Sequence, residues 1–598
     1  MACGKHMVCS PTDPRPPRRP RVRLVAMHGA TIVLWCLPSI VCCVKGAGDW
    51  HWYPPAARFS VFLSIAVATA LTLFARRLWL SLAVLTPLVV LGTMDLHTAL
   101  QYGTLVSAGL VGVMRDTDVS EASQYIGSLD PHAVVVPLLS LMLHGAAIWM
   151  FRRWQYEIPA RVRLAALCAL LLVAAPAVWW KTLPSSPEHA STESNGNSGW
   201  GWSVSSQLSS MSFGGLIVRG WDAVQTNNEL ARAIASRSAY RHDATRARQV
   251  ADLELVVLVV GESSRLANWR LAGYARDTNP YTARRNDLLF LPNIVACSPL
   301  TRTAVPHLLT GVEPAQHARV AAAGSIVTAF SELGFSTAWI SNQGPGGAAS
   351  GLIPSFAREC DEVRWQTVDG IDAEAHASGN YDEQVVESFD AVLRAGHPKQ
   401  AVIVHLMGSH YAYERRYPVS QAVFTPVFTP GETQTYSSDR AKLLNTYDNS
   451  IAYSDRVLDT LLAHIEDGYR GRALVIFASD HGENLYDDGE HRFGHGAWTE
   501  ASEFELRIPA FVWANASYRR HGQPLLDRVR SHAGIPAPCS VLYHTLLDLV
   551  GVRAQSFDPS QSLASALFQT RAIEYVNKDD AIVRAPDFTL AQAGRLVP

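Results

Sequence analysis

Two apolar segments of the sequence are each followed by residues that can bind a metal ion. Glu262 follows the segment Leu255–Val260, and Asp480 and His481 follow the segment Ala473–Ala478. Carboxylates and imidazoles are both common zinc ligands in proteins. If the two segments are neighbouring strands, these three side chains meet at one edge of a sheet. The pattern therefore predicts a zinc site built from strand ends.

A hydroxyl group lies near a turn signal in the same part of the chain. Thr301 stands between Pro299 and Pro306, and we expect these residues to form a turn. Threonine is a poor nucleophile without activation. Zinc lowers the pKa of a bound water from ~15.7 to ~7 and should act comparably on a coordinated hydroxyl. Thr301 is thus the candidate nucleophile of the predicted site.

Apolar segments alternate with helical patterns from Leu253 onward, which predicts an α/β domain with a mainly parallel sheet and helices on both faces. The predicted strands are 255–260, 337–341, 400–406, 473–478 and 508–514. The predicted helices are 327–333, 383–393 and 443–465. In such sheets the chemistry collects beyond the carboxyl ends of the strands. Glu262, Asn342, His410 and Asp480 all follow predicted strands at that edge.

The first third of the 598-residue chain is far more apolar than the rest, which is typical of a membrane domain followed by a soluble one. Five apolar runs are each about 17–21 residues long, close to the length that crosses a ~30 Å hydrocarbon core. They are Leu24–Val44, Phe59–Ala75, Leu78–Met94, His132–Phe151 and Leu164–Trp180. The alternative for each run is a buried helix of a soluble core.

Arginines lie before the first run and in alternate loops, so we place the N-terminus in the cytoplasm and the part after the fifth run outside the inner membrane. The predicted organisation is a basic tail (1–23), a five-span domain (24–180) with an exported loop (95–131), a tether and bridging helix (181–250) and an exported catalytic domain (251–598). Within the loop, residues 105–122 form either a helix on the membrane surface or a plain connection.

The bridging helix is predicted from the helical pattern between Trp221 and about Val250, which contains several arginines. It either touches anionic lipid or is simply solvated. The net charge of −2 gives no reason to expect a nucleic-acid partner. Three cysteines, Cys297, Cys360 and Cys539, fall in the predicted exported part, so at most one disulfide forms among them, and the sequence does not say which.

Taken together, the motifs resemble those of the inner-membrane phosphoethanolamine transferases, which belong to the alkaline phosphatase and sulfatase superfamily. The resemblance covers the apolar N-terminal part and nearly all of 253–552. The segments that carry it are Val259–Arg265, Gly273–Pro280, Cys297–Pro306, His405–His410, Ser479–Glu483 and Gly494–Gly496.

This resemblance implies a set of roles. Glu262, Thr301, Asp480 and His481 match the tight zinc site, with Thr301 as the nucleophile that becomes modified by phosphoethanolamine. Three residues match contacts to the donor: His410, His495 and Asn342. The two histidines alternatively match a second, looser zinc site. The implied donor is phosphatidylethanolamine, and the implied acceptor is lipopolysaccharide core, lipid A or a periplasmic glucan. We expect a membrane-bound monomer.

One departure and two alternatives accompany the resemblance. His307 stands where lipid-A-modifying members have a cysteine that bridges to the nucleophile segment, which leaves the acceptor open. A phosphoglycerol transferase would differ only in contacts to the head group. A sulfatase or phosphodiesterase would act by hydrolysis, but formylglycine sulfatases need Cys-x-Pro-x-Arg. In this chain the arginine after Cys297 and Pro299 is Arg302, one position too late.

Overall fold

The computed structural model of the protein describes residues 21–45, 55–102, 105–106, 131–165, 168, 215–247, 255–344, 352–366, 381–429, 432, 436, 438–487 and 492–586. Contacts along the chain divide it into two units. The first comprises Met1–Leu105 and His132–Val218, and the second comprises Val106–Pro131 and Arg219–Pro598. The second unit therefore begins earlier in the chain than the predicted catalytic domain at residue 251.

The first unit is helical in its described part. Its helices are α1 (Arg21–Trp35), α2 (Leu37–Lys45), α3 (Pro55–Thr72), α4 (Leu78–Val84), α5 (Thr86–Tyr102) and α6 (Pro131–Trp154). Among the residues that the structure describes, α6 is long and apolar enough to cross a membrane, with a mean hydropathy of 2.0. The pair α4 and α5 would count as a second span, although it is bent by 58° at its break.

These helices differ from the predicted spans in three places. The first run is divided between α1 and α2, and the third run between α4 and α5. Helix α5 also extends into the predicted exported loop, as far as Tyr102. Most of the fifth run, of the surface helix at 105–122 and of the tether lies outside the described residues. The count of five spans therefore stays a prediction.

The second unit is built on one eight-stranded sheet. Its strands are β1 (Leu255–Gly261), β2 (Leu288–Val295), β3 (Ser336–Ser341), β4 (Glu362–Trp365), β5 (Gln400–His405), β6 (Ala473–Ser479), β7 (Arg507–Ala514) and β8 (Ala537–Pro538). Their order across the sheet is β8-β2-β7-β6-β1-β5-β3-β4. Strand β7 is antiparallel to both its neighbours, whereas the other pairings are parallel. The predicted mainly parallel sheet is confirmed, and β2 is a strand that the sequence patterns did not predict.

Helices cover both faces of this sheet. The helices of this part of the chain are α7 (Gly215–Arg237), α8 (Thr301–Thr310), α9 (Ile326–Glu332), α10 (Leu352–Ala357), α11 (Glu383–Arg394), α12 (Arg440–Gly468), α13 (Glu503–Leu506), α14 (Ala516–His532) and α15 (Val541–Val550). Successive side chains of β1 point to opposite faces. Val256 and Leu258 thus pack in one core with α8, α9, α14 and α15, while Val257 and Val259 pack in the other with α11 and α12.

Three short antiparallel pairs complete the second unit. They join Thr245–Arg246 to Val552–Arg553, Asn484–Leu485 to Phe493–Gly494, and Glu574–Val576 to Ile582–Arg584. Two predicted segments change in this structure. The bridging helix is α7, which begins before Trp221 and ends at Arg237. The segment predicted as a turn between Pro299 and Pro306 is a turn only as far as Leu300, because α8 begins at Thr301 and contains Pro306.

Candidate metal centre and nucleophile

The pairing of β1 with β6 brings the three predicted metal ligands together. The last residues of these parallel neighbours, Gly261 and Ser479, are directly paired. Glu262, Asp480 and His481 therefore leave the sheet at the same point, and one ligand atom from each lies within 4.8 Å of the others. All three side chains are buried. Strand register alone accounts for this cluster.

Thr301 joins the cluster from the first position of α8. Its Oγ1 lies 3.0 Å from Nε2 of His481 and 3.2 Å from Oε2 of Glu262. Leu300, the preceding residue, provides no side-chain cap for the helix. The hydroxyl of Thr301 consequently lies at the positive end of the helix dipole, where developing negative charge is stabilised. The four residues that the sequence assigned to the metal site are thus adjacent.

The tautomer of His481 leaves one ring nitrogen available to a metal. Its Nδ1 lies 2.9 Å from the carbonyl oxygen of Gly482, which can only accept a hydrogen bond. Nδ1 therefore carries the proton, and the lone pair of Nε2 points to Thr301 and the carboxylates. Such a fixed tautomer is typical of histidines that bind metals. Burial, followed by the charge of His495, lowers the pKa of His481 to about 3 and keeps it neutral.

Two buried carboxylates beside a neutral imidazole favour a divalent cation. Burial acts to raise the pKa of Glu262, but nearby histidines, chiefly His481, outweigh burial and lower it to about 2. Burial and then the charge of Glu262 raise the pKa of Asp480 well above its usual range. Oδ2 of Asp480 is buried and accepts no hydrogen bond. Two carboxylates, an imidazole and a hydroxyl fit the ligands that zinc prefers.

The predicted donor-binding histidines flank this cluster. The ring of His495 lies 4.0 Å from that of His481, and the ring of His410 lies 6.2 Å from that of His495, both measured between centroids. Nδ1 of His495 bonds Oε2 of Glu483 at 2.9 Å. Burial acts to lower the pKa of His495, but Glu483 outweighs it and raises the pKa to about 9. Nδ1 of His410 bonds the carbonyl of Tyr411 at 2.7 Å.

Asn342 lies beside the cluster but its amide points to another partner. Its Nδ2 donates a hydrogen bond of 2.8 Å to Asp382, and the residue is 1% exposed. The next residue, Gln343, contacts the cluster instead. Its Nε2 donates to Oε2 of Glu262 at 2.9 Å and to the carbonyl of Leu406 at 3.0 Å. The predicted contact between Asn342 and the donor stays a prediction, whereas Gln343 is a residue that the sequence reading missed.

Ser263 is a second contact that the sequence reading missed. Its Oγ donates to Oε1 of Glu262 at 2.7 Å, and its backbone N–H donates to Oδ1 of Asp480 at 3.1 Å. The backbone of Ser263 has a positive φ of 53°, which is uncommon for a residue with a side chain. Both carboxylates are thus oriented by the single residue that follows Glu262. The Gly-Glu-Ser order after a strand was the available sequence signal.

Two further residues have roles in packing. Arg265 forms a buried ion pair of 2.5 Å with Asp487, so salt bridging within the domain accounts for it. His307, at the position where the resemblance implies a cysteine, is buried and lies 3.1 Å from Nδ1 of His317. The position that the resemblance assigns to a cysteine is therefore occupied by a histidine that packs on His317.

Residues 254–552 match the model of the protein family described as Sulfatase, which is half of the chain. The chain belongs to the sulfatase family. Among curated relatives, phosphoethanolamine transferase EptC of Escherichia coli (strain K12) is 26% identical over 498 residues, covering 81% of this chain and 82% of that protein. Phosphoethanolamine transferase EptA of the same strain is 24% identical over 537 residues, covering 85% and 88%.

A solved structure matches both units of this family member. The integral membrane protein lipooligosaccharide phosphoethanolamine transferase A (EptA) from Neisseria meningitidis superposes with a TM-score of 0.62 at 20% identity. The match covers 90% of this chain and 98% of that one, so it includes N-terminal helices. At this identity the likeness concerns the fold alone. The predicted resemblance and the predicted α/β fold are both confirmed, and the N-terminal helices agree with a membrane domain.

Proposed function

We propose that this protein transfers phosphoethanolamine from phosphatidylethanolamine to an envelope glycan or glycolipid through a covalent intermediate on Thr301. The observation that carries the proposal is the position of Thr301, whose Oγ1 lies 3.0 Å from His481 Nε2 and 3.2 Å from Glu262 Oε2 at the start of a helix. The relatives named phosphoethanolamine transferases support the choice of the group transferred.

The reaction has two displacements at phosphorus. In the first, the bond from Thr301 Oγ1 to phosphorus forms and the bond from phosphorus to the diacylglycerol oxygen breaks. The hydroxyl proton of Thr301 ends on diacylglycerol, the leaving group. In the second, an oxygen of the acceptor attacks the same phosphorus, and Thr301 regains a proton as the acceptor loses one. The acceptor is a phosphate or hydroxyl of lipopolysaccharide core, lipid A or a periplasmic glucan.

Glu262, Asp480 and His481, with the hydroxyl of Thr301, are the residues that would hold a zinc ion. A zinc ion supplies a Lewis acid that lowers the pKa of a hydroxyl and stabilises negative charge on phosphate oxygens. We assign one tight site, and a second only if His410 and His495 bind metal. Ser263 and Gln343 orient the carboxylate of Glu262 through its two different oxygens.

His410 and His495 are proposed to bind the phosphate of the donor. The ring of His495 lies 4.0 Å from that of His481, and the ring of His410 lies 6.2 Å from that of His495. Glu483 accepts the Nδ1 proton of His495, which leaves Nε2 to face the cluster. A protonated imidazole there would offset the charge of a phosphodiester. We place the catalytic domain in the periplasm of a bacterium, attached to the inner membrane, because the donor is a lipid.

A phosphoglycerol transferase is the nearest alternative, because the same cluster could act on phosphatidylglycerol. A formylglycine sulfatase is disfavoured by the position of Cys297. This residue is fully buried and its sulfur contacts Cys539, whereas Thr301 occupies the place next to the metal ligands. Hydrolysis and transfer then differ only in whether water or an acceptor attacks the intermediate.

The test uses the full-length protein in detergent, incubated with either phosphatidylethanolamine or phosphatidylglycerol. We expect the peptide containing Thr301 to gain the mass of phosphoethanolamine with the first lipid only. Thr301→Ala should abolish both the adduct and the release of diacylglycerol, whereas Thr303→Ala, two positions along the same helix, should retain both. Lipid cleavage that persists in Thr301→Ala would overturn the proposal. A phosphoglycerol adduct would favour the alternative.

A further inference from the structure

Two cysteines meet directly behind the segment that carries Thr301. Cys297 lies two residues beyond the end of β2, and Cys539 directly follows β8. Strands β2 and β8 are parallel neighbours that pair Val295 with Pro538, so the ends of these two strands lie side by side. The backbone N–H of Cys539 donates to the carbonyl of Val295 at 2.8 Å. The two sulfur atoms are consequently in contact, and both side chains are fully buried.

We propose that Cys297 and Cys539 form a disulfide that fixes the nucleophile segment to the start of α15. The inference rests on the proposed periplasmic location, because disulfides persist in oxidising compartments. In the reaction the two thiols lose two protons and two electrons as the sulfur–sulfur bond forms. The oxidant is a disulfide of an exported thiol–disulfide oxidoreductase, which takes them up and leaves as a dithiol.

The position of this bond suggests a role in holding the active site. Cys297 lies four residues before Thr301, and its carbonyl accepts a hydrogen bond of 2.8 Å from Val576. Cys539 lies immediately before Ser540 and α15, whose residues pack in the same core as α8. The bond would join positions 242 residues apart in sequence. A cross-link that closes so long a loop restricts the unfolded chain strongly.

Cys360, the third cysteine of the second unit, provides an internal control. It lies near the end of α10, where its backbone N–H bonds the carbonyl of Ala357. It is also buried, with 9% of its surface exposed. Its environment thus resembles that of the other two in burial. The proposal requires Cys360 to remain a thiol under conditions in which Cys297 and Cys539 do not.

Peptide mapping of the exported full chain, purified without reductant, tests the bond directly. The protein is denatured in iodoacetamide, digested without reduction and analysed by mass spectrometry. We expect the peptides of Cys297 and Cys539 to appear as one linked species, about 2 Da lighter than the sum of their thiol forms, and Cys360 to be alkylated. Alkylation of both Cys297 and Cys539, or a link from either to Cys360, would refute the proposal.

A thermal measurement separates a failure of this proposal from a failure of the proposed function. Reductant should lower the Tm of the wild type and of Cys360→Ser by about 5–10 °C, and should leave Cys297→Ser and Cys539→Ser unchanged. The double variant should be no less stable than either single variant. Additive losses that are insensitive to reductant would contradict a bond. Both readouts, the linked peptide and the shift of Tm with reductant, need no lipid substrate, so the bond is established or refuted whatever group the enzyme transfers.

Discussion

Gln343 holds the carboxylate of Glu262 from the side opposite to Ser263. Its Nε2 donates to Oε2 of Glu262 at 2.9 Å, whereas Ser263 Oγ donates to Oε1 at 2.7 Å. The same amide is fixed by the carbonyl of Leu406 at 3.0 Å. Gln343 therefore determines how the carboxylate is oriented towards both His481 and the hydroxyl of Thr301.

We expect Gln343→Leu, which keeps the volume and removes the donor, to weaken zinc binding and lower kcat by about 10–100-fold. The KM for the lipid should change much less, because both hydrogen bonds of the amide are made within the protein. Zinc affinity is measured by competition with a chelator, independently of turnover. Gln366→Leu is the matched control, since Gln366 donates to Ser388. Zinc affinity and kcat within twofold of the wild type would exclude a positioning role.

Gly408 packs directly against the backbone of Glu262. A Cβ at this position would lie 2.7 Å from the carbonyl oxygen of Glu262 and 2.9 Å from its nitrogen. Gly408 also has a φ of +51°, a conformation that costs other residues roughly 1–2 kcal/mol. Gly408→Ala should therefore both destabilise the protein and displace Glu262. We expect transfer activity to fall at least about tenfold, because small misplacements of catalytic groups are costly.

Gly334→Ala separates the two effects. Gly334 has a φ of +76°, but an added Cβ would meet nothing within 4 Å. It should lower the free energy of unfolding by about 1 kcal/mol and leave kcat unchanged. Comparison of thermal stability and turnover for the two variants provides the measurement. Equal losses of activity in both would show that backbone strain alone, and not the approach to Glu262, matters at Gly408.

Strands β1 and β3 show how much of this site could be predicted from the sequence. Strand β1 is buried on both faces and reads as a continuous apolar run, so its end, and hence Glu262, could be located. Strand β3 was also predicted, yet the contact with the cluster comes from Gln343 and not Asn342. Neighbouring side chains beyond a strand point in different directions. The residue that contacts the cluster is therefore one position further along the chain than the residue that the sequence indicated.

Other features depended on contacts that a sequence pattern does not contain. The pairing of β7 with β2 and β6 joins segments far apart in the chain, and β2 was missed although its inward-facing residues are buried. Helix α8 was hidden because Pro299 and Pro306 both resemble turn signals. Pro306 is the sixth residue of α8, beyond the four N-terminal amide groups that lack partners inside a helix, so α8 forms in spite of one missing backbone hydrogen bond.

His544 predicts a loss of stability in mild acid. Its Nε2 lies 3.1 Å from the carbonyl of Gly311, and its Nδ1 accepts from the N–H of Asp558 at 3.2 Å. Only the neutral ring satisfies both contacts. Burial lowers the pKa of His544 to about 4. Hydrogen bonding to Gly311 and the charge of Asp558 oppose this effect, and Arg571 adds to it.

The direction of this pH effect on stability follows from the difference in proton binding between the folded and the unfolded chain. Between pH 6.5 and 4 the unfolded chain binds this proton and the folded chain does not, so stability is complete above pH 6.5 and falls as the pH decreases to 4. At pH 5 the loss relative to pH 8 should be about 2 kcal/mol. Thermal unfolding at both values should show a smaller loss in His544→Gln than in the wild type. Exposed His521→Gln serves as control, and an unchanged loss in His544→Gln would contradict the assignment.

Arg237 joins the end of α7 to the catalytic unit. Its Nε lies 2.5 Å from Oε1 of Glu359, its Nη2 bonds Ser355 at 2.7 Å, and its Nη1 bonds the carbonyl of Ala321 at 3.1 Å. The guanidinium also lies 3.9 Å from the centre of the Phe356 ring. Arg237 is therefore buried within the second unit, whereas the two alternatives for the bridging helix as a whole stay predictions.

Arg237→Met should lower the free energy of unfolding by about 3 kcal/mol, because it leaves the carboxylate of Glu359 buried without its partner. Burial already raises the pKa of Glu359, so removal of the arginine would favour its protonated form further. The double variant Arg237→Met/Glu359→Gln should recover part of the loss, whereas exposed Arg241→Met should cost less than about 0.5 kcal/mol. Thermal unfolding of the full chain in detergent provides the comparison. A double variant as unstable as the sum of both single variants would show that packing on Phe356, and not the ion pair, anchors α7.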